Sequence, residues 1–231
     1  MKKVTGIDGG PRKSWNTSAM IRRALDGAES AGAETELFRL YDLNFKGCTS
    51  CFTCKQIAHY NEGKCAMQDE LSPVLESVMG SDVVIMGSPV YFSDVTGAMR
   101  SFWERLLFMN LAYNDKKVNM SVCTKKISCG VLYTMNIPED MLDEWGYTAM
   151  FESHARSLRV LNGEVEYLTA CDTFQFDNYS RYYAPMFDVE RKKRMRDVMF
   201  PLDCEHAYQM GARLTDKAGR AGHESPNVDP S

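Results

Sequence analysis

The sequence predicts an α/β fold in which a doubly wound, parallel five-stranded sheet lies between two layers of helices. Three observations point to it. Short β-type runs alternate along the chain with segments of helical periodicity. The run 81–87 (Ser-Asp-Val-Val-Ile-Met-Gly) holds an unbroken apolar stretch, as strands buried on both faces do. Loops rich in Gly, Pro, Ser and Asn follow the first and third strands, at the sheet end where such folds bind ligands.

The first strand is expected over 3–8, stopped by Gly9-Gly10-Pro11. Helical spacing begins at Thr17, with Met20, Ile21, Ala24, Leu25 and Ala28 on one face. A second strand is expected over 35–41 and a third over 81–87. Residues 97–109 form a helix whose apolar face is Met99, Phe102, Trp103, Leu106 and Leu107. Further strands fall at 127–135 and 163–171, with a helix over about 138–158 between them. A last helix spans about 189–218. Residues 219–231 read as a loose tail, because their Gly, Pro, Asn and Asp leave little to bury. The chain thus reads as one domain over 1–218, with a cysteine-rich insertion at about 45–66.

Bulk composition narrows the function classes. Of 231 residues, 44% are hydrophobic and 25% charged, and the formal charge is −4. That balance gives no electrostatic footprint for nucleic acid. No apolar run approaches the ~20 residues that span a bilayer, and the start of the chain lacks the apolar stretch of a signal peptide. A cytoplasmic protein is expected, whose eight cysteines are thiols or metal ligands rather than disulfides.

Two loops carry the chemistry. After the first strand the chain reads Gly9-Gly10-Pro11-Arg12-Lys13-Ser14-Trp15-Asn16-Thr17-Ser18. The glycines permit a tight turn, and Asn16, Thr17 and Ser18 suit the cap of the next helix. A helix start with free N–H groups, hydroxyls and an Arg makes a phosphate cradle. Neither the P-loop nor the Gly-x-Gly-x-x-Gly pattern is present. After the third visible strand comes Gly87-Ser88-Pro89-Val90-Tyr91-Phe92-Ser93-Asp94. Its two aromatic residues cover either the core, an oligomer interface or a flat ligand. Together the two loops fit a phosphorylated planar heterocycle.

Gly-Gly-Pro-Arg…Asn-Thr-Ser and Gly-Ser-Pro-Val-Tyr-Phe, with the stretch Cys171-Asp172-Thr173-Phe174-Gln175-Phe176, resemble the NADPH-dependent FMN reductase group of the flavodoxin-like superfamily. The cysteines between the two loops resemble its iron–sulfur flavoprotein branch. The resemblance implies a flavodoxin-like three-layer sandwich that binds FMN. It implies that Gly10, Pro11, Arg12, Asn16, Thr17 and Ser18 surround the FMN phosphate. Pro89, Val90, Tyr91 and Phe92 would line the isoalloxazine ring, and Thr134, Met135 and Asn136 would approach it. The implied activity is an FMN oxidoreductase that passes electrons from NAD(P)H to a small-molecule or protein acceptor, as a homodimer or homotetramer. A carrier fed by ferredoxin is the alternative. FMN supplies the redox chemistry, so no side chain is named as catalytic. The family commonly has Ser where Gly10 stands and Gly where Trp15 stands. The missing hydroxyl removes a phosphate hydrogen bond of ~1 kcal/mol.

Cys48-x-x-Cys51-x-x-Cys54 is followed by Cys65. Three thiolates at that spacing wrap a soft metal centre and suit iron–sulfur or zinc. The resembled branch holds a [4Fe–4S] cluster this way, with its fourth cysteine closer than Cys65. Read as Cys51-x-x-Cys54-x₄-His59-x₅-Cys65, the segment is one residue longer than a zinc knuckle, which would make the chain a zinc-containing interaction module. Free or redox-active thiols are the third reading. Cys123, Cys129, Cys171 and Cys204 are expected to be buried structural thiols, and His154, His206 and His223 surface or capping residues. The run 190–194 reads as a solvated helix face. Tyr179, Tyr182, Tyr183 and Phe187 read as a packed aromatic patch.

Overall fold

In the computed structural model, residues 1–60, 62–113 and 120–220 are described. Five strands form one sheet: β1 (Lys2–Asp8), β2 (Ala33–Arg39), β3 (Val83–Pro89), β4 (Ile127–Thr134) and β5 (Asn162–Ala170). Their spatial order is β2-β1-β3-β4-β5 and every pairing is parallel. This is the doubly wound flavodoxin-like order, with its switch point between β1 and β3. Burial follows that order. Every residue of β4 is buried, as is β3 up to Ser88, while the edge strands β2 and β5 are half-exposed.

Helices α1 (Asn16–Ser30) and α6 (Phe200–Arg220) cover one face of the sheet. Met20, Ile21, Ala24 and Ala28 of α1 meet Ala207, Met210 and Leu214 of α6 over Val4, Val83 and Ile85. Three further helices, α2 (Ser72–Gly80), α3 (Gly97–Asn110) and α4 (Tyr147–Leu158), cover the other face. The short helix α5 (Val189–Arg194) leads through a π-helical turn, Met195–Met199, into α6. No helix among the described residues is long and apolar enough to cross a membrane.

Three elements differ from expectation. Helix α2 is absent from the sequence reading, although Val74, Leu75 and Val78 form its buried face and Pro73 opens its first turn. The helix expected over 138–158 is shorter. Glu139–Met141 is a single 3₁₀ turn, and Gly146, at φ +74°, breaks the run before Tyr147. The expected last helix is interrupted by the π turn and reaches Arg220; the rest of the expected tail, 221–231, lies outside the described residues.

Helices α1 and α6 approach so closely that two glycines are obligatory. A Cβ on Gly27 would lie 1.9 Å from the Tyr208 carbonyl oxygen, and one on Gly211 1.8 Å from that of Ala24. Gly211→Ala therefore separates the helices and is expected to lower stability in urea unfolding by about 2–3 kcal/mol. Gly80→Ala, where an added Cβ meets nothing within 4 Å, is expected to be neutral or to stabilise by ~0.5 kcal/mol. Equal effects of the two substitutions would contradict the packing described.

Candidate functional site

Where β1 ends, the chain must turn through a space with no room for side chains. A Cβ on Gly9 would meet Met99 Cε at 2.9 Å, and one on Gly10 would meet Asp8 Oδ1 at 3.0 Å. Both glycines answer to close approach, not to a left-handed turn. Asp8 is fully buried beneath the loop; its Oδ1 accepts from Gly10 N–H at 2.8 Å and its Oδ2 pairs with Arg39 Nη1 at 2.5 Å. Burial pushes the Asp8 carboxyl above the ordinary range against the pull of these partners.

The loop then enters α1 without the side-chain cap expected from Asn16, Thr17 or Ser18. The N-cap residue is Trp15, no side chain accepts from the first-turn N–H groups, and the first turn holds no acidic residue. Ser18 Oγ instead donates to Lys13 O, and Thr17 Oγ1 pairs with Thr134 Oγ1 at 2.7 Å. The open helix start faces a cleft with Arg12 on its wall. Free N–H donors at a positive helix end, beside a guanidinium, fit a phosphate group.

Eleven of the thirteen residues expected around FMN line this one cleft: Gly10, Pro11, Arg12, Asn16, Thr17, Pro89, Val90, Tyr91, Thr134, Met135 and Asn136. Ser18 lies buried behind the loop. Phe92 is fully exposed and outside the cleft. Tyr91 and Asp94 exchange backbone hydrogen bonds, and Phe92 and Ser93 between them adopt φ +49° and +60°, a tight turn that throws the Phe92 ring outward. The cleft also takes in four residues not expected there: Trp15, Thr173, Phe174 and Gln175. Trp15 Nε1 and Asn16 Nδ2 both donate to Phe174 O at 3.0 Å, and Arg12 Nη1 donates to Gln175 O at 2.8 Å. Arg12 also stacks over the Trp15 ring at 4.2 Å. The bulky Trp15 thus clips the first loop to the segment after β5.

Behind the aromatic loop stands a buried network. His154 is buried, not on the surface as expected. Its Nδ1 lies 3.0 Å from Tyr133 Oη, and its Nε2 lies 3.3 Å from both Arg100 Nη2 and Asp94 Oδ1. A neutral ring protonated on Nδ1 donates to Tyr133 and accepts from Arg100. Burial pulls the His154 pKa down, and Arg100 adds to it against Asp94. The run 190–194 is a solvated helix face as expected, except at Lys192. Lys192 is buried and donates to Asn136 and Asp172, so it fixes the loop after β4 from below. Cys123 and Cys129 are buried as expected, whereas Cys171 and Cys204 are half-buried; burial pushes the Cys129 thiol up to about 12 and Cys171 up to about 11. His206 is exposed, and His223 lies outside the described residues. Phe176, Tyr179, Tyr182 and Phe187 pack together, with Phe176 and Tyr182 stacked at 4.2 Å, while Tyr183 is exposed.

Cys48, Cys51, Cys54 and Cys65 come together around one small recess, floored by Arg105, Phe108 and Met109 of α3. Left-handed Ser50 and Phe52 let 48–54 curl around it. Burial pushes the Cys54 thiol up, whereas hydrogen bonding to Thr53 pulls Cys51 down. Arg105 is buried and ties the insertion's ends to α3 through Lys46 O, Met67 O and Asp69 Oδ2. Its Nε is buried without a hydrogen-bond partner. A buried guanidinium lining the same recess as four thiols fits an electron-rich sulfur cluster. His59 does not line the recess and pairs with Glu62 Oε1 at 3.0 Å. Among the described residues, no three Cys, His, Asp or Glu converge on a single ion.

The profile of the NADPH-dependent FMN reductase family matches residues 2–131. An iron–sulfur flavoprotein of Methanocaldococcus jannaschii is 37% identical over 103 residues, 45% of this chain and 51% of that protein. Another, of Clostridioides difficile, is 31% identical over 147 residues, 62% of this chain and 63% of that protein. The chain spans about half the length of the first curated relatives it matches. Among solved structures, an NAD(P)H:quinone oxidoreductase of Methanothermobacter marburgensis has the same fold, with a TM-score of 0.65 over 92% of this chain and 98% of that one at 16% identity. The chain belongs to the NADPH-dependent FMN reductase family.

The His154 network has a pH signature. A histidine with a depressed folded pKa contributes stability above its unfolded value of ~6.5, and that contribution is lost as pH falls. Asp203, pushed up to about 6 by burial, titrates there with the opposite sign. The melting temperature of His154→Gln relative to the native chain is therefore expected to rise as pH is lowered from ~7 to ~5.5. A constant difference across that range would contradict a buried neutral His154.

Proposed function

We propose that this member of the NADPH-dependent FMN reductase family binds FMN in the cleft over β1, β3 and β4 and passes electrons from NAD(P)H to an acceptor. The observation that carries the reading is the uncapped start of α1, with no acid in its first turn, opening into the same cleft as the loop 89–91. FMN, when bound, accepts a hydride and releases electrons singly or in pairs. The first-turn N–H groups and Arg12 would hold its phosphate, and Gly10 keeps the loop low enough for close approach. Pro89, Val90 and Tyr91 would form one wall for the ring. Thr134, Met135 and Asn136 would meet its polar edge, with Asn136 positioned by Lys192. Residues 171–175 close the cleft from the far side through their bonds to Arg12, Trp15 and Asn16.

A [4Fe–4S] cluster on Cys48, Cys51, Cys54 and Cys65 completes the reading, supported by the recess that those thiols share with the buried Arg105. Its relatives in Methanocaldococcus jannaschii and Clostridioides difficile carry the name iron–sulfur flavoprotein. The cluster favours a second reading, a carrier that takes electrons from ferredoxin. The zinc-knuckle pattern loses its histidine, because His59 is turned to Glu62. A reducing cytoplasm suits cluster thiolates, and a homodimer or homotetramer is the proposed assembly.

Anaerobic titration of the FMN-loaded chain with NADPH and NADH tests this. Bleaching of the flavin absorbance by either nicotinamide, with about four iron atoms per chain, is the expected result. Reduction by a ferredoxin system alone would select the carrier. Failure to take up FMN at all would overturn both readings.

A further inference from the structure

The π-helical turn Met195–Met199 between α5 and α6 has no part in the site described so far. Such turns are rare, insert one extra residue into a helix and occur frequently at functional sites. The effect here is one of direction. On one side of the turn, α6 packs Ala207, Met210 and Leu214 into the core it shares with α1. On the other, α5 aims Lys192 at Asn136 and Asp172. One extra residue rotates α5 by about 100° relative to a straight continuation of α6, and it sets Arg196 in the turn between them.

Arg196 reaches the start of α1 from 180 residues away in sequence: its Nη1 donates to Asn16 Oδ1 at 2.9 Å. Its guanidinium also lies 5.8 Å over the Trp15 ring, the ring on which Arg12 stacks. Asn16 is the first residue of α1 and is buried. An asparagine oxygen readily accepts from nearby backbone N–H groups, and at a helix start it would compete with a phosphate for them. Here Arg196 holds that oxygen, while Asn16 Nδ2 donates to Phe174 O at 3.0 Å. Both ends of the amide are engaged elsewhere, and the helix start stays uncapped.

We propose that Arg196 is a positioning residue of the phosphate end of the cleft: through the Asn16 amide and the Trp15 ring it keeps the start of α1 open for the FMN phosphate. The proposal rests on the FMN reading. Arg196 does not itself line the cleft, so it acts through these two neighbours, which do. The test is titration of the flavin-free full chain with FMN and with riboflavin, followed by flavin fluorescence. The native protein is compared with Arg196→Gln, Asn16→Ala and the double variant. Arg196→Gln is expected to raise the FMN Kd about tenfold and the riboflavin Kd less than about twofold. On the Asn16→Ala background the same change is expected to cost less than about threefold, because the main partner of Arg196 is gone.

A native FMN Kd in Arg196→Gln would overturn the proposal. Equal weakening of FMN and riboflavin would also overturn it, since the variant would then loosen the whole cleft. A full tenfold loss on the Asn16→Ala background would do the same, because the guanidinium would then act by its charge alone. Should Arg196→Gln fail to fold, Arg196→Lys keeps the charge without the planar fork; it is expected to lose about threefold in FMN affinity alone, and native affinity there would contradict the proposal. A native chain that takes up no FMN removes the FMN reading and this proposal together. A native chain that binds FMN, with the variants unchanged, removes this proposal only.

Discussion

The buried carboxylate of Asp8 is the constraint on which the site is built. A charge at the end of a central strand is tolerable only with partners, and here they are Gly10 N–H and Arg39. The first fixes the loop that leaves β1; the second ties β1 to the end of β2. Next to it, Gly9 N–H donates to Gly87 O at 2.8 Å, and Thr96 Oγ1 donates to Gly9 O at 2.8 Å. Thr96 also caps α3 by accepting from Met99 N–H. Five bonds within a few residues therefore set the starts of α1 and α3 and the two loops between which the cleft opens. Replacing one partner would leave a buried charge or donor unmatched, so the loops are held as a unit.

The cysteine recess lies at the other end of the same scaffold. Helix α3 begins against Gly9 and reaches Arg105 nine residues after Thr96, about 14 Å along its axis. Arg105 binds the base of the insertion and lines the recess that the four thiols share. One rigid helix thus relates the two sites. The insertion itself, with few buried side chains of its own, depends on that anchor.

What was legible in the sequence follows from how local the signal is. The five strands and the two ligand loops announce themselves in short runs: apolar stretches ended by Gly-Pro or by Ser-Pro. Eleven of the thirteen expected cofactor residues meet because parallel topology brings both loops to one sheet end. Helix α2 escaped because nine residues carry barely two turns of periodicity. Lys192 looked like part of a solvated face because nothing near it in sequence reveals Asp172 and Asn136, 20 and 56 residues away. His154 was misplaced for the same reason: its partners sit on β4 and α3 and in the aromatic loop. Trp15 stood out only as excess bulk beside the loop; its bond to Phe174 O supplies the purpose.

The account's central claim is that the start of α1 grips a phosphate. Titration calorimetry of the flavin-free chain with FMN and with riboflavin tests it most directly, since the two ligands share the ring and differ in the phosphate. The account predicts one FMN per chain and a riboflavin affinity at least about 100-fold weaker, the ~2.7 kcal/mol expected of charge-assisted bonds to a phosphate. Equal affinities would contradict it, because the loop from Gly9 to Asn16 would then contribute nothing to binding.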